Sequence, residues 1–461
     1  MKHTCCLFLA LVILFGCAAR PLFDWPQSSP LGRDLPAYTP PPEPEATPDS
    51  NAPSAFSEPG ALTLRDAMAA ALMHNPELRS FAWGIRSAEA RSLQASRPPN
   101  PEAGIEIENF GGSGELSGFD GAETTFSISQ LFLTGGKLKT RTRLASLDRE
   151  LSAFNYETTR VDVLTTVAVR FIDVLGVQER VGIAEKAHEL ASQVFAVVTT
   201  RVEAGDLSPV EKTRSRVTVS ITRLALMQTR RNLAAARLRL AALWSSTAPT
   251  FQTAEGRLDQ VPAELPTLAT LASLINQNPE LARWAVEMSK RKTALELARA
   301  DAVPDIAVAG GLRYLNDLDD TAFVVGLTLP LPLFDRNQGG RLAAMNNIHQ
   351  AHEQRRAAQT RVRTALAAGY EALLASHIAV TTLKDDILPN ARSAFQATKT
   401  AFQEGTLGYL DILDAQRTLI QLEAEYLDAL TTFHTAASEV ERLIAQPLHN
   451  VSSSQPQGAR P

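Results

Sequence analysis

Two spacings of apolar residues alternate along this chain, and together they outline the fold. Long stretches near 63–96, 137–203, 209–246, 267–302, 341–403 and 409–446 read as helices. Between them lie four short segments of period two. Ile105-Glu106-Ile107-Glu108 alternates apolar with acidic, and Phe126-Ser127-Ile128-Ser129 alternates apolar with hydroxyl. Ile306, Val308 and Leu312 share one parity against Ala307, Ala309 and Arg313. Phe323, Val325, Leu327 and Leu329 oppose Val324, Gly326 and Thr328. Period two puts one set on each face of a strand. At ~1.5 Å per residue, a helix of sixty-odd residues reaches roughly 90–100 Å, so the long helices must pack side by side as in coiled coils.

An apolar face backed by a polar one suits a transmembrane barrel with a wet interior, in which a strand needs about 9–11 residues. A soluble sheet packed on the helices is the other reading of the same alternation. Four strands do not close a barrel, because small bacterial barrels have at least about eight, and an open edge in lipid leaves backbone groups unpaired. In the membrane reading the chain therefore shares its barrel with copies of itself. On this ground alone two copies (about eight strands) and three (about twelve) both remain open.

The pattern occurs twice. Asn75-Pro76-Glu77-Leu78 returns as Asn278-Pro279-Glu280-Leu281 and Pro101 as Pro304, both at an offset of 203. Gly135-Gly136-Lys137 returns as Gly339-Gly340-Arg341 at an offset of 204, and Gly205-Asp206-Leu207 as Gly405-Thr406-Leu407 at 200. Four pairs in the same order mark a duplicated helix-strand-strand-helix-helix unit, too long for a solenoid repeat. The expected organisation is a first repeat over 62–250 and a second over 265–446. The fold class is mainly α with a transmembrane β-barrel portion.

Composition adds the ends of the chain. Net charge is -5, which argues against a nucleic-acid partner. The three cysteines are Cys5, Cys6 and Cys17. Residues 1–16 read as a signal peptide, with Lys2 ahead of a short apolar run too brief to span a bilayer. The run ends Leu14-Phe15-Gly16-Cys17, which resembles a bacterial lipobox and makes Cys17 the lipidated first residue of the mature chain. An ordinary signal cut near Ala18-Ala19 is the alternative. Ala18 after the cysteine, by resemblance to bacterial sorting rules, favours the outer membrane. Residues 17–61 form a lipid-anchored, Pro-rich extension, since residues 18–60 hold eleven of the 27 prolines. Residues 447–461 read as a disordered tail.

From about residue 62 to 446 this arrangement resembles the TolC-like outer-membrane efflux proteins. The sharpest local match is Leu329-Pro330-Leu331-Pro332-Leu333-Phe334-Asp335-Arg336-Asn337-Gln338-Gly339, similar to the strand-exit motif of heavy-metal (CzcC-type) members that serve resistance-nodulation-division systems. The resemblance implies a homotrimer: a twelve-stranded barrel in the outer membrane above a long α-helical tunnel. It also implies a periplasmic adaptor and an inner-membrane resistance-nodulation-division pump as partners. The cargo it implies is small solutes, above all heavy-metal cations, although relatives with drug or other organic cargo share the motif.

In that family acidic residues ring the periplasmic entrance, at the turn after each long helix. The matching positions are Asp411 and Asp414, with Glu211 in the place of Asp411 in the first repeat and Arg214 in that of Asp414. Asp411 and Asp414 share a helix face. Asp411 is equally placed to cap its helix and Asp414 to pair with Arg417. Ser208-Pro209-Val210-Glu211 reads as a capping box with Pro at N1. Where some drug-efflux relatives close the tip with a tyrosine and an arginine, this chain has Phe402 and Leu407.

No metal site or cofactor is expected. His349 and His352 stand three apart on a helix and read as solvated or packed side chains. No nucleophile triad, phosphate loop or catalytic carboxylate pair stands out, so the expectation is a passive duct rather than an enzyme. A reading from another class is a periplasmic coiled-coil lipoprotein that serves as an adaptor or scaffold. The anchor is directly testable: Cys17→Ala should abolish metabolic labelling of the protein by a fatty-acid probe, and persistent labelling would remove Cys17 as the acylated residue.

Overall fold

The structure is a computed structural model and describes residues 60–453; Cys17 and the signal lie outside the described residues. The first half holds β1 (Ala61–Thr63), α1 (Leu64–His74), α2 (Pro76–Ala95), β2 (Glu102–Glu108), β3 (Glu123–Phe132), α3 (Lys137–Glu203) and α4 (Pro209–Ala241). A linker carries β4 (Thr253–Glu255). The second half holds α5 (Leu268–Leu274), α6 (Pro279–Ala300), β5 (Ile306–Leu315), β6 (Asp320–Thr328), α7 (Gln338–Thr382), α8 (Leu388–Gln403), α9 (Tyr409–Ile444) and α10 (Leu448–Ser453). The duplicated order of elements is thus present in three dimensions.

The repeated Asn-Pro-Glu-Leu has a physical job. Asn75 ends α1 and starts α2, so the first helix is broken where the sequence pattern runs on. Its Oδ1 accepts from the Leu78 N–H (3.0 Å), and its Nδ2 donates to the Leu243 carbonyl (2.8 Å) in the turn just past the end of α4. Asn278 does the same in the second half, accepting from the Glu280 N–H (2.8 Å) and donating to the Leu443 carbonyl (3.0 Å) near the end of α9. The proline at N1 needs no hydrogen-bond acceptor there. Each asparagine is buried and ties the start of one helix to the end of another.

α3 runs unbroken for 67 residues. Its equivalent in the second half does not. Pro389 has no N–H to give, and just before it the chain widens to a π turn over Leu383–Ile387, in which the Leu388 N–H reaches the Leu383 carbonyl. α4 packs on α3, α3 on α9, and α9 on α7 and α8, while α2 and α6 lie against the first part of α3. The main core gathers at the waist around Leu62, Phe171, Leu240, Trp244, Leu271 and Phe433, where β1 and β4 pair in parallel. A separate apolar cluster of Val194, Val198, Phe395, Phe402, Tyr409 and Ile412 holds the far end of the hairpins.

The sheet meets the helices at one tight joint. Gly135 and Gly136 both take left-handed backbone (φ 62° and 74°), and a side chain on Gly135 would crowd Val303. Lys137 is buried, donates to the Val303 carbonyl (2.6 Å) and pairs with Asp305 (2.8 Å), which also accepts from the Thr134 N–H (2.8 Å). In the second half the left-handed residue is Asn337 (φ 53°), and Gly339 and Gly340 sit inside the first turn of α7. The repeated glycine pair therefore does not repeat its conformation.

Replacing Asn75 or Asn278 with Ala removes a helix cap and strands a carbonyl, and should cost about 1–3 kcal/mol per site. Asn→Asp keeps the cap but not the donor, so it should cost less at the helix start while still leaving the carbonyl unpaired. Thermal unfolding of the four variants in detergent checks both statements.

Candidate functional site

The four long strands form one antiparallel sheet in the order β2-β3-β5-β6. Its register sorts the two faces. Ile105, Phe126, Leu312 and Phe323 stand in one row across the sheet, and Glu106, Thr125, Arg313 and Ala322 stand in the next. The apolar face is uncovered, with Phe323 89% and Val325 83% exposed. The opposite face is the more sheltered one, and Thr125 is buried on it.

Arg313 organises the polar face. It donates to Glu108 (3.0 Å), Glu123 (2.6 Å) and Thr125 (3.0 Å) from three different nitrogens. Glu108 and Glu123 are direct register partners, so without a cation between them two like charges would face each other across strands. Glu102 and Glu106 share this face by parity. The result is a polar, acid-rich lining with one arginine woven into it.

At the other end of the long helices, the two turns are built alike. Gly205 (φ 87°) and Gly405 (φ 80°) end α3 and α8 in left-handed conformation. Asp206 N–H reaches Arg201 O (2.9 Å) and Thr406 N–H reaches Ala401 O (3.0 Å), closing each helix. The starts of α4 and α9 differ. Asp411 accepts from the Gly408 N–H (2.9 Å), as a helix-capping acid does. The capping box expected at Ser208 and Glu211 does not form. Ser208 accepts from Val210 N–H (3.3 Å), and Glu211 turns to Arg214 (3.2 Å), which offers it a charged partner on its own helix. Its second carboxylate oxygen is buried without a partner. Asp414 is exposed, and among the described residues it makes no ion pair with Arg417. Among the described residues no hydrogen bond joins Glu211 to either aspartate within one chain.

Two side chains that the sequence pattern did not flag hold the turns together. Arg201 donates to the Phe402 carbonyl (3.2 Å) and lies over its ring, 5.6 Å from the centroid. Tyr409 meets Thr218 through their hydroxyls (3.3 Å). Both contacts link the first hairpin to the second, over residue separations that local spacing does not reveal. Phe402 is almost wholly buried, so it serves the cluster rather than a lumen. His349 and His352 are both exposed, and among the described residues no group of His, Cys, Asp and Glu is placed to hold a metal ion.

Comparison with known proteins accords with this geometry. The sequence model of the family described as "Outer membrane efflux protein" matches residues 67–246 and 270–446. The chain is 32% identical over 387 residues to the cobalt-zinc-cadmium resistance protein CzcC of Cupriavidus metallidurans, covering 84% of this chain and 91% of that one. It is 24% identical over 298 residues to the nickel-cobalt-cadmium resistance protein NccC of Alcaligenes xylosoxydans xylosoxydans, covering 65% and 66%. The solved structure of CusC superposes with a TM-score of 0.71 at 17% identity, over 85% of this chain and 95% of that one.

The lining yields its own test. Arg313→Ala should lower the heat stability of the folded sheet, because Glu108 and Glu123 then face each other unpaired. Adding Glu108→Gln and Glu123→Gln should recover most of the loss, since it removes the repulsion and leaves only the loss of the arginine's packing and hydrogen bonds. Gel mobility of the heated, detergent-solubilised protein reads both steps.

Proposed function

Because the chain belongs to the outer membrane efflux protein family, whose members are outer-membrane channels and not enzymes, we propose that it is the outer-membrane duct of a heavy-metal cation efflux assembly. The observation that carries the reading is the sheet, apolar on one face, acid-rich on the other and open at both edges. In hydrocarbon those edges must be paired, which calls for copies of the same chain. An eight-stranded barrel is filled by its own side chains, whereas about twelve strands leave room for a lumen, so the reading takes a homotrimer. The mature chain would be fixed to the membrane through an acyl group on Cys17, ahead of repeats at 62–250 and 265–446. A periplasmic adaptor and an inner-membrane resistance-nodulation-division pump would deliver cargo to the hairpin end, since nothing in a passive duct supplies energy.

The cation reading is supported by the metal resistance that the CzcC and NccC relatives are named for and by the sign of both ends of the conduit. Glu102, Glu106, Glu108 and Glu123 share the polar face of the sheet. At the hairpin end, Glu211, Asp411 and Asp414 would be gathered three-fold around one opening. Such rings draw cations and repel anions. Asp414 is the sharpest probe, because it is exposed and unpaired while Asp411 is occupied as a cap.

Mass measurement in detergent should give three chains per particle; a monomer with an intact barrel contradicts the assembly. Asp414→Ala should reduce the cation selectivity of the channel in planar bilayers and weaken block by divalent cations added at the hairpin side, with little change in stability. Asp411→Ala should add a stability loss of about 1 kcal/mol from the lost cap. Unchanged selectivity in the double variant would take the entrance role away from both residues.

A further inference from the structure

At the foot of the sheet, where α2 gives way to β2, lies a cationic cleft that conduction does not use. It is open, about 840 Å³ in volume, and its wall includes Arg91, Arg97, Arg141, Pro99, Asn100 and Gln130. Among the described residues none of the three arginines has a carboxylate partner; Arg91 donates to the Ser87 hydroxyl (3.0 Å). Elsewhere on these helices Arg149 pairs with Glu89 and Arg160 with Glu157, whereas exposed Arg79, Arg143 and Arg170 share the lack of a carboxylate partner among the described residues; the cleft is distinguished by gathering three such arginines in one concavity. Helix stability does not explain Arg141, although Arg91 and Arg97, near the end of α2, have the sign its dipole favours. Lys137, Lys139, Arg141 and Arg143 crowd the start of α3, and its first turn carries no acid. Cations at a helix start oppose the helix dipole, so their placement there is a cost.

The cleft's position relative to the sheet supplies the missing partner. Gln130 has the parity of Phe126 and Ile128, and so belongs to the uncovered apolar face. Its amide donates to the Pro99 carbonyl (3.0 Å) and closes the top of the cleft. Gln130 thus joins the apolar face of β3 to the cleft that the three guanidinium groups line. Phe132 and Leu93, both more than half exposed, continue the apolar surface beside them. Acyl chains fit the upper part and an anionic headgroup the lower. Guanidinium groups bind phosphate oxygens through paired, charge-assisted hydrogen bonds.

We propose that this cleft binds the phosphodiester headgroup of a phospholipid in the helix-side leaflet of the outer membrane. The inference rests on the sheet being set in that membrane. Bound there, the lipid fixes the height of the barrel in the bilayer, because the phosphate plane is pinned to the joint between strand and helix. Three such sites would ring the assembled duct at one level.

The test uses the full chain purified in detergent, with native mass spectrometry counting retained lipid. Phosphatidylglycerol is compared with diacylglycerol of the same chains and with inorganic phosphate. The expected result is selective retention of phosphatidylglycerol, weakened at least tenfold in Arg97→Ala/Arg141→Ala and unaltered in Arg355→Ala, which removes an exposed charge from α7. Equal retention by the double variant overturns the proposal. So does arginine-dependent binding of inorganic phosphate as tight as that of the lipid, which would make the cleft a plain anion site. The neighbouring copy's strand exit is the competing occupant, with Asp335 as its charge. A disulfide between Arg97→Cys and Asp335→Cys of adjacent chains in the membrane would likewise overturn it. Fractionation of the unaltered protein separates the two readings: absence from the outer membrane fails the duct itself, whereas presence there without arginine-dependent lipid binding fails only this site.

Discussion

A backbone amide in hydrocarbon has nowhere to put its hydrogen bond except on another strand or along its own helix. That constraint governs the rest of this molecule. The sheet β2-β3-β5-β6 satisfies its inner strands and leaves β2 and β6 with one bare edge each. A soluble protein could cover such edges with a helix or loop. Here the uncovered face bears Phe323, Val325 and Leu327, which solvent would penalise and lipid would not. Given a membrane, a shared barrel follows, and given a shared barrel, so does a tunnel of helices from more than one chain. The long helices then need no compact core of their own beyond the waist and the hairpin cluster.

Lys137 and Asp305 carry that logic across the membrane boundary. The sheet must lean on the helices without letting the joint flex, because strand and helix belong to different solvents. A buried ammonium shared between a carbonyl and a carboxylate, next to two left-handed glycines, gives the joint one geometry. Removing one partner of such a pair leaves a buried charge uncompensated, which is costly.

Much of the fold was legible from spacing. Period two marked each of the four long strands, and the glycines at 205 and 405 marked both hairpin turns, because a left-handed C′ residue is a local requirement. The joints were less legible. Asn75 was visible as half of a repeat, but its grip on Leu243 lies 168 residues away. The Ser208–Glu211 box failed because Arg214, one turn on, offered Glu211 a better partner than a backbone N–H. Gly339 and Gly340 looked like the counterparts of Gly135 and Gly136, yet Asn337 took the left-handed position ahead of them. At the hairpin end the acids could be named and Asp411 read as a cap, which it is, but the Asp414–Arg417 pair that spacing allows does not form among the described residues. Arg201 and Tyr409 left no local trace, since each acts on the other hairpin.

The π turn before Pro389 has a consequence for how the second half keeps its alignment. Leu366, Leu373 and Val380 are buried at intervals of seven, and so are Leu388, Phe395 and Phe402. Between Val380 and Leu388 the interval is eight. In an unbroken α-helix that additional residue would swing the lower row by about 100° and turn its two phenylalanines away from α9. The widened turn absorbs the odd residue, so both rows stay in phase along one seam. The helix thus tolerates an insertion without re-threading its partner, much as a vernier takes up one division between two scales.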